Sequence, residues 1–312
     1  MNHFITLKDI STKNLRRIVT DAKKRKDKRK KLSTLEIDKD KPLKGKLLIQ
    51  MFEKSSLRTR LSFYLAVKQL GGGTITLRTN ELHLGKGGES LADTARILST
   101  YGDGFMLRTD SDKKIEEFSK YLTVPVINGL SPSSHPTQVL SDIFTVEEIK
   151  KKPISKLNIC WIGDSNNVLN SLIAASVKFS FKLSIGCPKN YEPKKFVLDW
   201  VKKNKGKINI YNDVKKAAMN ADVIFSDKVI SLNDKINKIN KINKIKDFKN
   251  FKINSKIMSF AKKDATFLHC LPRGTEVSSA VFLGKNSKVW IQALNRVHVQ
   301  KSILLYCFGK LR

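Results

Sequence analysis

Short apolar runs alternate with segments of helical apolar spacing along most of this chain. The runs "GKLLIQMF", "GGTITLR", "DGFMLR" and "VPVIN" predict strands, and each is followed by a candidate helix. Parallel strands need crossover connections, and the helices that make those connections cover both faces of the sheet. The first half of the chain is therefore predicted to be an α/β unit built on a parallel sheet.

The same alternation continues in the second half. A long helix candidate that begins near Thr137 leads to the strand candidates "LNICWIG", "FKLSIGC", "KINIYN", "ADVIFSD" and "ATFLHCL". The predicted fold class is α/β, with two doubly wound domains, each a parallel sheet flanked by helices, joined by long helices. Such folds bind ligands at the carboxyl ends of their strands, so we expect an active-site cleft between the two domains.

Length and cysteine content narrow the class of protein. At 312 residues the chain can form two domains, each with its own core. No segment approaches the roughly 20 uninterrupted apolar residues of a membrane span, and the first residues lack the features of a secretory signal. The cysteines suggest neither disulfides nor a structural zinc site, because they are widely spaced: Cys160, Cys187, Cys270 and Cys307. We expect a cytoplasmic protein with no metal, no other cofactor and no membrane partner.

The charge is strongly positive, since 60 Lys and Arg oppose 28 Asp and Glu and give a net charge of +32. Such a field attracts anions, from nucleic acid to small phosphorylated metabolites. Much of the excess, however, is lysine mixed with isoleucine and asparagine in "DKINKINKINKIKDFKNFKINSK". No recognition-module signature accompanies the charge, so a nucleic-acid partner is not favoured.

An apolar residue recurs at every third position of this lysine-rich repeat. The positions are Ile236, Ile239, Ile242, Ile245, Phe248 and Phe251. On an α-helix each step of three falls back by about 60°, so one helix of about three turns could dock through this face. The repeat predicts a surface helix with a loosely specified end, and disorder is the alternative.

The stretch "FEKSSLRTRLSF" follows the first predicted strand and places Ser56, Arg58, Thr59 and Arg60 at the predicted start of a helix. The first turn of a helix offers unpaired backbone N–H groups and a positive dipole end, so hydroxyls and guanidinium groups there can bind phosphate. The alternative interpretation is a helix cap followed by a solvated charged turn.

Four further stretches carry candidate functional side chains. They are Arg108 at the end of "FMLR", "HPTQ" from His135 to Gln138, "HCLPRG" from His269 to Gly274, and "NRVHVQK" from Asn295 to Lys301. Taken singly, the first three have structural interpretations: a solvated arginine, a helix that begins with proline, and a buried thiol. Their occurrence together, in one order along the chain, indicates a site.

Together with "ELHLG", "SLADTAR", "INGLS" and "GDSNNVLNS", these stretches resemble the aspartate/ornithine carbamoyltransferase family from about residue 45 to the C-terminus. "HCLP" is similar to the ornithine branch, because the aspartate branch carries proline where Cys270 stands. The resemblance implies that L-ornithine takes the carbamoyl group of carbamoyl phosphate by direct attack of its δ-amine, which gives L-citrulline and phosphate in arginine biosynthesis. Two alternatives stay open: another amine acceptor, such as acetylornithine or putrescine, and a basic nucleic-acid-binding protein on the same scaffold.

The resemblance implies a carbamoyl phosphate site in which helix-end groups and arginines hold the phosphate. His135 would donate to the carbamoyl oxygen as that oxygen gains negative charge. The full implied set is Ser56, Leu57 (through its backbone N–H), Arg58, Thr59, Arg108, His135, Gln138, Cys270, Leu271 and Arg296. The implied catalytic residues are Arg108, His135, Gln138, Asp227, Cys270 and Arg296.

The resemblance also implies an ornithine site. Asp227 would pair with the α-amino group, Asn167 would bind the α-carboxylate, and Ser231 with Leu232 would close over the amino acid. Cys270 and Asp227 would orient the δ-amine. That amine must lose its proton before it attacks, so activity should rise toward alkaline pH.

Domain boundaries and assembly follow from the same resemblance. Residues 1–145 would bind carbamoyl phosphate, with a C-terminal helix over 294–312 packing back on them, and residues 146–293 would bind ornithine. The implied assembly is a homotrimer, in which the loop near "ELHLG" (residues 81–85) of a neighbouring chain completes the carbamoyl phosphate site.

Three positions depart from the family pattern. Leu57 stands where Thr or Met is usual, and Leu294 stands where Glu usually precedes Asn295. In "SLN" the family's Met-Gly is replaced by Leu232 and Asn233, and asparagine reaches the backbone angles that glycine permits at some cost. The replacements at Leu232 and Asn233 bear on acceptor selectivity, and Leu294 bears on the support of Arg296.

Overall fold

The computed structural model describes residues 1–78, 88–230 and 237–311. The chain divides into two compact units, Met1–Phe144 with Leu294–Arg312 and Thr145–Ala293. Among the helices of the described ranges, none combines the length and apolar character needed to cross a membrane.

A parallel sheet forms the centre of the first unit. Its strands in the described residues are β1 (Leu47–Phe52), β2 (Gly73–Arg78), β3 (Gly104–Arg108) and β4 (Val126–Leu130), in the order β2-β1-β3-β4. The helices in chain order are α1 (Thr12–Lys28), α2 (Leu57–Gln69), α3 (Leu91–Tyr101), α4 (Asp112–Tyr121) and α5 (Pro136–Lys150). Strands β1, β3 and β4 are almost wholly buried, which explains why they read as continuous apolar runs.

The order in which strands are added to the sheet of the first unit reverses at β1. From β1 the chain adds β2 on one side and then crosses to add β3 on the other. Open α/β sheets bind ligands at such a switch point, outside the carboxyl ends of the strands. Phe52 and Arg108 are register partners at those ends of β1 and β3, so this edge of the sheet is the expected ligand site.

The second unit repeats this plan. Its described strands are β5 (Asn158–Ile162), β6 (Lys182–Gly186), β7 (Ile208–Tyr211), β8 (Val223–Ser226) and β9 (Thr266–His269), all parallel in the order β7-β6-β5-β8-β9. Its helices are α6 (Asn167–Phe179), α7 (Lys195–Lys203), α8 (Val214–Ala218), α9 (Lys238–Asp247), α10 (Ser255–Met258) and α11 (Ser279–Phe282). The switch point lies between β5 and β8. The predicted fold class, with its two parallel sheets flanked by helices, is confirmed.

The final helix, α12 (Val289–Cys307), is tied into the first unit by a buried ionic cluster around Asp38. The Asp38 carboxylate lies 2.6 Å from Lys301 Nζ, 2.7 Å from Arg29 Nη1 and 3.3 Å from Arg25 Nη1. The Lys301 side chain is completely buried, and this burial lowers its pKa to about 8 although Asp38 acts in the opposite direction. One carboxylate therefore joins α1 to the helix that carries Arg296.

The lysine-rich repeat forms a helix, α9, over ten residues. It does not dock through its isoleucines, since Ile239 and Ile242 are 69% and 64% exposed. Phe248, which follows α9, is buried and contacts the ring of Tyr191 at 4.8 Å between centroids. Lys244 is buried as well, so the contacts are made by a lysine and an aromatic residue rather than by the row of isoleucines.

Candidate active site

The first turn of α2 follows directly from the carboxyl end of β1. Ser56 is the N-cap residue in extended conformation, and its hydroxyl does not accept a hydrogen bond from the first turn. The first-turn amides of Leu57, Arg58 and Thr59 therefore lack the side-chain cap that Ser11 and Ser90 provide at α1 and α3. Amides at a helix start, beside hydroxyl and guanidinium groups, suit an oxyanion ligand.

The hydroxyl of Thr59 joins two arginines from distant parts of the chain. Arg296 Nη2 donates to Thr59 Oγ1 at 2.9 Å, and Arg108 Nη1 donates to the same oxygen at 3.3 Å. Thr59 is completely buried, and the two arginines are 2% and 9% exposed. The end of β3, the start of α2 and helix α12 thus meet at one hydroxyl, and two guanidinium groups converge there.

Gln138 is oriented by hydrogen bonds at both ends of its amide. Its Nε2 donates to Asp142 Oδ1 at 2.8 Å, and its Oε1 accepts from Arg296 Nη1 at 3.0 Å. Asp142 lies one turn further along α5 and is buried. Because one amide end faces a carboxylate and the other a guanidinium, the orientation of the Gln138 side chain is fixed.

His135 precedes α5 and is buried among positive charges. Burial, followed by the charges of Arg296, Arg108 and Arg58, holds the pKa of its imidazole well below the usual value. The ring is therefore neutral at physiological pH and can donate one hydrogen bond without adding a further charge. A neutral donor beside three arginines suits a ligand that carries both a phosphate and a polar carbonyl group.

In the second unit, the loops that follow β5, β8 and β9 meet at Asp227. Asn166 Nδ2 donates to Asp227 Oδ2 at 2.8 Å, and Cys270 Sγ donates to Asp227 Oδ1 at 2.9 Å. Asn166 is also the N-cap of α6, because its Oδ1 accepts from the backbone N–H groups of Val168 and Leu169. A carboxylate and a thiol in contact at the switch point can bind and orient a ligand amine.

A histidine and a glutamate support the loop that carries Cys270. The backbone N–H of Leu271 donates to His269 Nδ1 at 2.9 Å, which places the ring proton on Nε2. That nitrogen lies 3.1 Å from Glu276 Oε1, which also accepts from the N–H of Gly274. Burial raises the pKa of Glu276, but the bonds from His269 and Gly274 outweigh it and lower the pKa overall. The ionised Glu276 therefore fixes the His269 tautomer that holds Leu271.

The predicted residues fall into two groups, one in each unit. Ser56 to Thr59, Arg108, His135, Gln138 and Arg296 lie in the first unit, and Asn167, Asp227, Cys270 and Leu271 lie in the second. Asn167 is buried at the first position of α6. Ser231, Leu232 and Asn233, together with the "ELHLG" loop, lie outside the described residues.

Three residues that orient these side chains were not predicted from the sequence: Asp142, Asn166 and Glu276. A signal for Asp142 existed, since it stands four positions after Gln138 on a predicted helix, where side chains meet. Asn166 is adjacent to the predicted Asn167 and is a favoured N-cap type. The sequence carries no comparable signal for the contact between Glu276 and His269, seven positions apart across a loop.

Comparisons with known proteins agree with this geometry. Residues 2–148 match the family model "Aspartate/ornithine carbamoyltransferase, carbamoyl-P binding domain", and residues 155–307 match "Aspartate/ornithine carbamoyltransferase, Asp/Orn binding domain". The two matched segments together span almost the whole chain.

Individual relatives cover nearly the full length. The ornithine carbamoyltransferase of Agrobacterium fabrum is 40% identical over 98% of this chain and 98% of its own length. That of Rhodopseudomonas palustris (strain ATCC BAA-98 / CGA009) is 42% identical over 98% of this chain and 96% of its own.

Solved structures of the same family superimpose on the chain. Ornithine carbamoyltransferase from Pyrococcus furiosus has a TM-score of 0.90 at 37% identity and covers 100% of this chain and 98% of its own. The anabolic ornithine carbamoyltransferase from Campylobacter jejuni has a TM-score of 0.87 at 36% identity, with full coverage of both chains. The chain belongs to the aspartate/ornithine carbamoyltransferase family.

Proposed function

We propose that this protein is an ornithine carbamoyltransferase, which converts carbamoyl phosphate and L-ornithine into L-citrulline and phosphate in arginine biosynthesis. The observation that carries the proposal is the contact of Cys270 Sγ with Asp227 Oδ1 at a switch point. The ornithine branch of the family carries this cysteine where the aspartate branch carries proline, and the Asp227 carboxylate beside it suits an acceptor with an unmodified amino group. The names of the relatives and the anabolic Campylobacter jejuni structure support the same activity.

In this proposal the first unit binds carbamoyl phosphate. The α2 amides of Leu57 to Thr59, with Ser56 and Arg58, hold the phosphate, and Arg108 bridges the phosphate and the carbamoyl oxygen. His135, Gln138 and Arg296 surround the carbamoyl group. Donors that are already in place where negative charge develops commonly contribute more to catalysis than any other single effect. The hydrogen bonds of Arg296 to Thr59 and Gln138 support this role, because they fix the guanidinium before substrate binds.

The second unit binds ornithine in the same proposal. Asn167 takes the α-carboxylate, Asp227 takes the α-amino group, and Ser231 with Leu232 close over the bound amino acid. Cys270 and Asp227 direct the δ-amine, while the backbone of Cys270 and Leu271 completes the carbamoyl site. The domain boundaries belong to this proposal: residues 1–145 with 294–312 for carbamoyl phosphate, and 146–293 for ornithine.

The reaction needs no covalent enzyme intermediate. The neutral δ-amine forms a C–N bond to the carbamoyl carbon, and the carbonyl oxygen gains negative charge beside His135 and the arginines. The C–O bond to phosphate then breaks, and the proton that the amine loses leaves with the phosphate. All atoms of the two substrates are therefore found in citrulline and phosphate, and the reaction needs no further reactant.

A homotrimer in the cytoplasm is part of the proposal. It is supported by apolar side chains on the outer face of α2, next to the phosphate-binding turn: Leu57, Leu61 and Tyr64 are 71%, 50% and 42% exposed. A surface pocket of about 680 Å³ lies beside them and includes Ser56 and Arg60. A neighbouring chain that contributes residues 81–85 would cover this face. Sedimentation equilibrium tests the assembly and should give three times the chain mass of 35.4 kDa.

A panel of acceptors tests the activity. Purified protein is given carbamoyl phosphate with ornithine, aspartate, acetylornithine or putrescine, and the carbamoylated product and released phosphate are measured. Turnover with ornithine and not with the other amines is expected. Turnover with a different acceptor would preserve the carbamoyl phosphate half of the proposal and refute the ornithine half.

A further inference from the structure

Glu53 directly follows β1 and stands three positions before Ser56, the N-cap residue of α2. Its backbone N–H donates to the backbone oxygen of Arg108 at 3.0 Å, one residue beyond the register pair of Phe52 and Arg108. The carboxylate is shielded from water, since the side chain is 8% exposed. A charge shielded in this way needs hydrogen-bonded partners or a counter-charge.

Partners of this carboxylate come from the loop that connects β3 to α4 and from the first turn of α4. The Thr109 hydroxyl donates to Glu53 Oε2, and the N–H of Asp110 donates to the same oxygen at 3.3 Å. Lys114 Nζ contacts Glu53 Oε1. The Thr109 hydroxyl also accepts from the N–H of Ser111, the N-cap of α4, at 3.1 Å. The carboxylate therefore ties the carboxyl end of β1 to the loop that follows β3.

The same carboxylate stands close to the turn that is proposed to bind phosphate. Three residues of extended chain span at most about 11 Å, so the Cα atom of Glu53 lies within that distance of Ser56. The two residues also line one surface pocket of about 680 Å³, together with Leu57 and Arg60. The screening length at 0.1 M ionic strength is about 10 Å, so a negative charge at Glu53 acts on an anion bound at this turn. Without compensation, that charge would weaken phosphate binding.

Lys114 is the lysine that meets this charge, whereas its neighbour Lys113 pairs with a different carboxylate. Lys113 Nζ lies 3.7 Å from Glu117, one turn further along α4, and the two side chains are 82% and 36% exposed. Exposed pairs of this kind contribute little. Glu53, the partner of Lys114, is far more shielded from water. Two adjacent lysines of equal charge therefore face carboxylates in different surroundings.

We propose that Lys114 is a determinant of carbamoyl phosphate affinity, because its ammonium group offsets the charge of Glu53 beside the phosphate-binding turn. The inference rests on the proposed function for the identity of the anion. Without the ammonium group, the carboxylate keeps the hydrogen bonds from Thr109 and Asp110 and retains its negative charge. The effect is therefore electrostatic and requires no movement of the loops. The charge of Glu53, and not the shape of Lys114, decides the effect of a substitution.

Titration calorimetry with inorganic phosphate tests the inference without turnover. Lys114→Met should raise the dissociation constant for phosphate about threefold to tenfold at about 0.01 M ionic strength, where charges are weakly screened. Lys113→Met is the matched control, because it removes the same charge from the adjacent position, and it should change the constant by less than about twofold. At about 1 M salt the screening length falls to about 3 Å, so the constant of Lys114→Met should approach that of the unsubstituted protein.

Further substitutions separate charge from structure. Lys114→Arg keeps the charge and should bind phosphate within about twofold of the unsubstituted protein. The double variant Glu53→Gln, Lys114→Met removes both charges, while glutamine can still accept from the Thr109 hydroxyl, and it should restore phosphate binding to within about twofold. A merely structural role of Lys114 would not be rescued by Glu53→Gln or suppressed by salt. Lys114→Gln takes the place of Lys114→Met should that variant fail to fold.

Steady-state kinetics give a second readout. In Lys114→Met the KM for carbamoyl phosphate should rise by the same factor, with the KM for ornithine within about twofold of the unsubstituted protein. If the unsubstituted protein makes no citrulline, the proposed function fails, while the phosphate titration still decides whether Lys114 sets anion affinity.

Three results of the titration would overturn the inference. One is an equal phosphate constant in Lys114→Met and the unsubstituted protein at low salt, or no phosphate binding by the unsubstituted protein. Another is an equal loss in Lys113→Met, which would show a general effect of surface charge. The third is a loss in Lys114→Met that Glu53→Gln does not reverse.

Discussion

Replacement of Arg296 by methionine is the most informative single change in the carbamoyl phosphate site. Arg296 is 2% exposed and donates from one guanidinium to Gln138 Oε1 at 3.0 Å and to Thr59 Oγ1 at 2.9 Å. Methionine fills similar space but removes the charge and both hydrogen bonds. Lysine at the same position keeps the charge, but its compact ammonium cannot reproduce the planar fork that reaches both acceptors.

The expected magnitudes follow from these contacts. Loss of one preorganised donor to a developing negative charge lowers kcat by roughly 100- to 1,000-fold, about 3 to 4 kcal/mol. Arg296→Lys forfeits one charge-assisted hydrogen bond, about 1.5 kcal/mol, so kcat should fall about tenfold. The KM for ornithine should change little in either variant, because Arg296 belongs to the carbamoyl phosphate half of the proposal.

Steady-state citrulline formation, with each substrate varied in turn, measures these effects. Arg96→Met is the matched control, since the Arg96 side chain lies in the same unit and is 66% exposed. A kcat of more than a third of the original value in Arg296→Met would refute this role of Arg296. A loss that lies wholly in the KM for ornithine would also refute it.

Three further predictions concern stability and pH. Asp38→Asn removes the anion that three cations share and should lower the free energy of unfolding by about 3–5 kcal/mol. Lys301→Met leaves Asp38 paired with two arginines and should lower it by less than about 2 kcal/mol. Urea unfolding measures both variants, and equal losses would contradict the cluster as described. Burial, followed by the charges of Lys301, Lys26 and Arg29, lowers the pKa of His298 to about 3. The histidine therefore takes up a proton in the unfolded chain at a higher pH than in the folded chain. About 2–3 kcal/mol of stability should be lost as the pH falls from 7 to 4.5. His298→Gln should reduce this acid sensitivity, and an unchanged slope of stability against pH would refute the assignment. The rate at low ornithine concentration should rise about tenfold per pH unit between pH 7 and 9, because the acceptor amine has a pKa near that of lysine; a flat profile would show that deprotonation does not limit attack.

Strands and sheet type were predictable because they depend on local apolar patterning. Fully buried parallel strands such as β1 and β3 read as continuous apolar runs, and the intervening helical segments require a parallel arrangement. The grouping of the site residues could not be predicted from local patterning. Nothing in the spacing of Thr59, Arg108 and Arg296 indicates that they meet, and their grouping followed from the order of whole motifs.

The lysine-rich repeat forms the predicted surface helix, but within the described residues its apolar row is buried only at Phe248 and Phe251. A row of isoleucines at every third position predicts an apolar docking face, yet Ile239 and Ile242 are exposed. The helix is instead held by Lys244 and the following Phe248. A lysine can bury its aliphatic stem and its charge when a carboxylate meets it, but the partner, Asp164, is 80 positions away and the sequence does not connect the two.

Isotope-edited NMR can follow the attack of the ornithine δ-amine on the carbamoyl carbon. The protein is mixed with carbamoyl phosphate labelled with ¹³C and ornithine labelled with ¹⁵N at the δ position. We expect the ¹³C signal to move to the ureido carbon of citrulline and to be split by the ¹⁵N nucleus, and we expect Arg58→Ala to slow its appearance strongly. Label that appears in bicarbonate or cyanate, at the rate of spontaneous breakdown and without ¹⁵N splitting, would refute direct attack by the δ-amine.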